Sequence, residues 1–430
     1  MAVDPVFRIA PTSQSYDWGK VGDDSKVAQL SAGAGIPGFT VKQSTPYAEL
    51  WMGTHTKSPS GVIGSSNTLP QFLAHYPQLI GKSVSTRFDT KDGNLPFLFK
   101  VLAIEKALSI QTHPDKETSE QLHATEPDIY KDPNHKPEMA LALTPFKALC
   151  GFMPLPSIQA YLHAVPEFAA LIPPAISQPF LLLTPSSPEA DQKKLLRDLF
   201  AALMTADADE FQPQLAKLVA RYETASVAGG AVAGGALEAV EECVRELVLT
   251  LNEQFPGDIG VFCVFVLNYV TMAPGEAIFL GAGEPHAYVS GDIMECMANS
   301  DNVIRAGLTP KMRDVPNLVS VLTYAPSAVS KHMVQPTPFA GAHATLCYDP
   351  PVPDFTVLQT TLAPGEPEAH RAIAGPSIAI VVEGAGAVEW EGQKSLDLHS
   401  GNVIFIGAGT PVNFSARYGT LVVYRAFVEV

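Results

Sequence analysis

The chain has 430 residues, room for two to four domains, and a formal net charge of −16. With 46% hydrophobic and 17% charged residues it reads as a folded globular protein and not a disordered one. The acidic balance argues against nucleic-acid binding through a basic field, so an anionic ligand needs a local basic cluster.

Residues 1–20 carry no basic-then-apolar leader pattern, and the longest apolar run, Val261 to Val270, is about half a membrane span. No membrane partner is expected. The five cysteines (Cys150, Cys243, Cys263, Cys296, Cys347) are odd in number and lack a C-x-x-C spacing. They read as free thiols of a cytoplasmic enzyme.

Residues 1–152 show short apolar runs broken by Gly, Pro and Asn, such as Leu95 to Leu102 and Ala107 to Ile110, and these predict strands. Residues 153–256 change to helical spacing. Leu195, Leu196, Leu199, Phe200 and Leu203 form one stripe; Leu215, Leu218, Val219 and Tyr222 form a second. Leu237, Val240, Val244, Leu247, Val248 and Leu251 form a third. Between them, Ala225 to Gly235 is rich in Gly and Ala and reads as a connector. Strand texture returns over 257–325. A proline-punctuated stretch, Pro326 to Pro338, leads into a last β region over 326–430. The pattern predicts a β domain (1–152 and 257–325) interrupted by a helical insertion, then a second β domain.

A repeat supports that division. Gly275 to His286 (GEAIFLGAGEPH) aligns without a gap with Gly401 to Val412 (GNVIFIGAGTPV), seven of twelve positions being identical. A β unit that recurs in one chain suggests two small barrels or jelly rolls.

Four segments concentrate the chemistry. Alternation along a strand puts Ser109, Gln111 and His113 on one face, and likewise Lys136 with Glu138, and His286 with Tyr288. The fourth runs from Asp301 through Arg305 to Lys311. Gln111, His113, Glu138 and His286 could give a borderline divalent metal two imidazoles, a carboxylate and an amide oxygen. Spacing alone leaves each of them open to an ordinary core or loop role.

Six ordered segments, YAELWMGTH (47–55), GNLPFLFK (93–100), LSIQTHP (108–114), NHKPEM (134–139), PHAY (285–288) and SDNVIRAGLTPK (300–311), resemble the type I mannose-6-phosphate isomerase family. The likeness starts at Tyr16-Asp-Trp-Gly-Lys20 and is loosest in the helical insert and the last hundred residues. It implies two cupin-type jelly-roll barrels plus an α-helical domain. It also implies a zinc enzyme that interconverts mannose 6-phosphate and fructose 6-phosphate and feeds GDP-mannose synthesis. The family's ligands fall on Gln111, His113, Glu138 and His286, and its catalytic arginine on Arg305.

Around that frame, Lys136 is expected to act as an acid–base group, or else to be a phosphate contact or a carboxylate partner. Glu295 is the expected proton-transfer base, and Asp301 is expected to orient Lys136 or Arg305. Trp18, Lys100, Ser109, Tyr288 and Lys311 are the expected substrate contacts; His55 is a lesser candidate for ring opening. One Zn2+ per chain and a monomer are expected. Val412 stands where the repeat would need a ligand, and the histidines of the last region (His343, His370, His399) look isolated. The second barrel is therefore expected to be metal-free, with Ile378, Ile380 and Val382 filling its interior. Two rival readings stay open: a cupin oxygenase holding iron through two histidines and a carboxylate, and a carbohydrate-sensing bicupin without catalysis.

Overall fold

The computed structural model describes residues 3–225 and 239–430. The connector expected at 225–235 lies outside these from residue 226 on, as does Leu237. The fold is mainly β with a helical insertion: two ten-stranded sheets, each wrapped into a cupin-type barrel, and a block of helices.

The spine of the first barrel is the long strand His286–Ala298. Its first half pairs with Phe146–Phe152 and Gln111, and its second half with Phe97–Ile104 and Glu138–Ala142. The change of partner falls at Gly291, whose φ of 117° and close approach to Pro145 leave no room for a Cβ. Just before it, the pairing with Phe146–Phe152 shifts register at a bulge. The bulge inserts one residue and so reverses which face each later side chain takes. Tyr288 and Glu295, seven apart, thereby reach the same interior. Simple alternation would have separated them.

The second barrel repeats the plan. The strand Val412–Phe427 pairs with Pro367–His370 at its start, Thr356–Leu362 at its end and Ser377–Trp390 along its length. The strand Val6–Ala10 joins this sheet by pairing with Val403–Ile406, so the start and end of the chain share one barrel.

The three helical stripes form Glu189–Met204, Ala208–Thr224 and Ala239–Gln254, and Leu196, Phe200, Leu215, Tyr222, Val248 and Leu251 are buried in them. The apolar run after Asp258 is not a strand at first. Ile259–Phe265 is a 3-10 helix buried at every residue, and a run buried all round shows no period to read. Likewise Ala107–Ser109 precede the strand Ile110–Thr112 instead of belonging to it. Among the described residues of 1–152, where the apolar runs predict strands, lie four short α-helices and two 3-10 turns, including Lys26–Gly33 capped by Ser25 and Lys116–Thr125 capped by Asp115. They are too short for helical periodicity to show in the sequence.

Two apolar layers back the first barrel. Ile110, Ala287, Ile304 and Ala306 point outward into the core of the helical block. Phe99, Val101, Met139, Met294 and Cys296 point outward into a layer shared with the second barrel. Ile378, Ile380 and Val382 lie in that shared layer, which corrects their expected place inside the second barrel. The interior is lined instead by the alternate residues Ala379 and Val381 with Val412, Phe414 and Trp390. A one-residue phase decides which face of a strand is interior, and both faces here are apolar.

Candidate metal centre and active site

The residues that alternate with those two outward layers point into the first barrel. Arg305, Gln111 and His286 are direct neighbours across three adjacent strands, so they form one inward row. A second row, Ala140–Glu295–Lys100–Trp51, crosses the other half. The helical block thus supports one half of the site, and the second barrel supports the other.

His113, Glu138 and His286 converge so that their ligand atoms lie within 4.8 Å of one another, all three residues buried. His113 Nδ1–H donates to the Asn302 carbonyl at 2.6 Å, and His286 Nδ1–H to the Glu284 carbonyl at 2.9 Å. A carbonyl only accepts, so Nδ1 of each ring carries a proton, and in the neutral imidazole the lone pair is on the inward-facing Nε2. Those lone pairs face the Glu138 carboxylate at 3.4 Å (His113 to Oε1) and 3.3 Å (His286 to Oε2). His113 Nε2, His286 Nε2 and Glu138 Oε2 are buried and make no hydrogen bond. Acceptors facing acceptors in a dry interior repel one another, whereas a cation between them resolves all three. The donor set fits a divalent metal, and Gln111, beside His286 in the first row, can add its amide oxygen.

The electrostatics agree. Burial pushes the His113 imidazole down to about 4, which keeps it neutral. Burial also pushes the Glu138 carboxyl up, but Lys136 and His113 outweigh it and hold it well below its usual range. Lys136 Nζ sits 2.9 Å from Glu138 Oε1, as its shared face predicted. His135 turns the other way, to Asp354 of the second barrel at 3.0 Å.

Deeper in, Glu295 accepts from Tyr288 Oη–H at 2.9 Å and pairs with Lys100 Nζ at 3.1 Å. Burial raises the Glu295 carboxyl pKa against the pull of Lys100, and raises the Tyr288 phenol well above its usual value. Lys100 also lies 5.0 Å from the Trp51 ring centroid, and Trp51 Nε1–H donates to Glu49. Glu49 and Trp51 escaped the sequence reading. Their signal was a Glu-x-Trp pair on one face of a strand, inside the segment 47–55.

Asp301 does not orient Lys136 or Arg305. It pairs with Lys57 Nζ at 2.9 Å and His55 Nε2 at 3.4 Å, which hold its carboxyl low despite burial. The turn after Asn299 carries its side chain to the partly exposed rim, beyond the reach of any strand-alternation argument. Trp18 is half-buried, stacked on Tyr16 with ring centroids 5.8 Å apart. Ser109 is half-buried and Lys311 exposed. Arg305 is half-buried, and among the described residues no carboxylate pairs with it.

Comparison with known proteins places this geometry. Residues 6–155 match the phosphomannose isomerase type I catalytic domain, 174–267 its helical insertion domain and 346–393 its C-terminal domain. The chain belongs to the type I phosphomannose isomerase family. It is 48% identical to the mannose-6-phosphate isomerase of Cryptococcus neoformans and 42% identical to that of Homo sapiens, each alignment covering 99% of both chains. A crystal structure of a mannose 6-phosphate isomerase bound with zinc and yttrium superposes with a TM-score of 0.80 at 33% identity, covering 99% of this chain and 100% of that one. The chain is therefore an isomerase of this family. Among its described residues no helix is long and apolar enough to cross a membrane.

Proposed function

We propose that this chain interconverts mannose 6-phosphate and fructose 6-phosphate by proton transfer between C1 and C2 through an enediol. One zinc ion per chain would be held by Gln111, His113, Glu138 and His286. The observation that carries this reading is a pair of buried imidazoles, each bonded through Nδ1 to a backbone carbonyl, whose Nε2 atoms face one buried carboxylate without a hydrogen bond. When bound, the metal supplies Lewis-acid polarisation of the sugar oxygens.

The chain's own groups do the rest. Glu295 takes the C2 proton, exchanges it in part with solvent, and delivers a proton at C1. Its two oxygens hold Tyr288 and Lys100 but keep spare lone pairs, and burial strengthens its hold on a proton. Lys136 serves as the acid toward the sugar oxygens. Arg305, which no carboxylate pairs with among the described residues, offers a permanent planar cation to the anionic part of the substrate. Trp18, Ser109 and Lys311 complete the contacts to ring and phosphate.

Turnover in D2O tests the chemistry. Mannose 6-phosphate should give fructose 6-phosphate carrying solvent deuterium at C1. Product without solvent label at every stage of conversion would overturn this route, in which the proton on Glu295 exchanges during the life of the enediol.

A further inference from the structure

Arg305 makes no described side-chain hydrogen bond, so its aim depends on its backbone. That backbone is unusual. Arg305 pairs with Gln111, yet Gly307 pairs with Ile110, so a bulge falls directly after the arginine. Leu308 follows with φ at 53°, a left-handed conformation costly for leucine. Such a turn persists only if something fastens it.

The fastener is Asp258, fifty residues earlier at the exit of the helical insertion. Its Oδ1 accepts from the Leu308 N–H at 2.8 Å and its Oδ2 from the Thr309 N–H at 3.1 Å. The same Oδ1 accepts from the Gly260 N–H at 2.7 Å, capping the buried helix Ile259–Phe265. Backbones meet at this seam. A Cβ on Gly307 would lie 2.6 Å from Gly260 Cα, and one on Gly260 would lie 2.6 Å from the Leu308 nitrogen. One carboxylate thus binds three N–H groups and ties the arginine's turn to the insertion.

We propose that Asp258 is a positioning residue for the isomerisation, holding the turn that aims Arg305 into the barrel. This rests on the reading that Arg305 engages the substrate. Ser at 258 can still cap Gly260 but is too short to reach Leu308 and Thr309; Asn keeps the shape and the acceptor oxygen. Asp258→Ser should lower kcat/KM about tenfold at wild-type zinc content, and Asp258→Asn should stay within about threefold of wild type. In an Arg305→Lys background, Asp258→Ser should cost less than about twofold more, because both changes spoil one interaction. A full tenfold loss in that background, or wild-type kinetics for Asp258→Ser, overturns the proposal. If the Ser variant does not fold, the same cycle run with Asp258→Asn decides, because the amide loses one of the two acceptor oxygens: a loss of about two- to threefold confined to the Arg305 enzyme is expected, and no loss, or a loss of equal size in both backgrounds, overturns the proposal. An Arg305→Lys enzyme with unchanged kcat/KM instead removes the underlying reading.

Discussion

Metal removal should loosen the protein as well as inactivate it, and the size of the effect can be worked from the site. Three buried atoms (His113 Nε2, His286 Nε2, Glu138 Oε2) have no partner without a cation. An unsatisfied buried polar group costs about 1–3 kcal/mol, so the empty cluster stores roughly 3–9 kcal/mol that a metal relieves. What appears as stability is set by mass action: about 4 kcal/mol when free zinc is a thousandfold above its Kd. At about 2–4 °C per kcal/mol for a large cooperative unit, zinc should raise Tm by about 10 °C. The assay is a thermal melt of chelator-stripped protein with and without added zinc, with bound metal counted by elemental analysis. His286→Ala removes one converging lone pair, so its zinc-dependent shift should fall below about 2 °C. Equal melting temperatures for stripped and zinc-loaded wild type, or a full shift in His286→Ala, would refute the reading of these lone pairs as ligands. A count of two tightly held metals per chain would refute the one-zinc stoichiometry.

Further outcomes follow from other parts of the structure. Arg305→Lys keeps the charge but loses the planar fork, so kcat/KM should fall about tenfold or more, about 1.4 kcal/mol. A KM effect marks a phosphate clamp, and a kcat effect marks enediolate stabilisation. Gly291→Ala meets both a φ of 117° and the Pro145 carbonyl oxygen 2.6 Å from the new Cβ, so denaturant unfolding should show a loss of about 2 kcal/mol or more. Val412→His should create no second tight zinc site by elemental analysis. Its strand neighbour His370 already has Nε2 engaged with Thr345 at 3.0 Å and Nδ1 with Arg425 at 3.3 Å. His343 bridges Glu366 at 2.7 Å and Glu368 at 2.6 Å, and these carboxylates raise its pKa. Its stabilising contribution is present below about pH 6.5 and fades as pH rises through the raised value. The Tm gap between wild type and His343→Ala should therefore shrink from about pH 6 to about pH 9, and a gap that widens contradicts the ion pairs.

Local pattern reached far in this chain. The helical stripes at 195–203 and 215–222 are visible in sequence because a face buried on one side repeats every three to four residues. His113, Glu138 and His286, which converge in the barrel, were named from ordered motifs, and alternation paired Lys136 with Glu138 while turning His135 away. Other features depend on contacts between distant segments. Tyr288 and Glu295 share an interior only because a bulge before Gly291 flips the strand's phase, and a bulge leaves no mark in the hydrophobic pattern. Ile380 lies between the barrels and not inside the second one because both faces of its strand are apolar, so pattern cannot choose between them. His370 looked isolated but stands beside Val412, as Gln111 stands beside His286. The strand Val6–Ala10 closes a sheet about four hundred residues away. Which lone pairs point inward was settled by the carbonyls of Asn302 and Glu284, backbone atoms that every residue possesses and no sequence motif distinguishes.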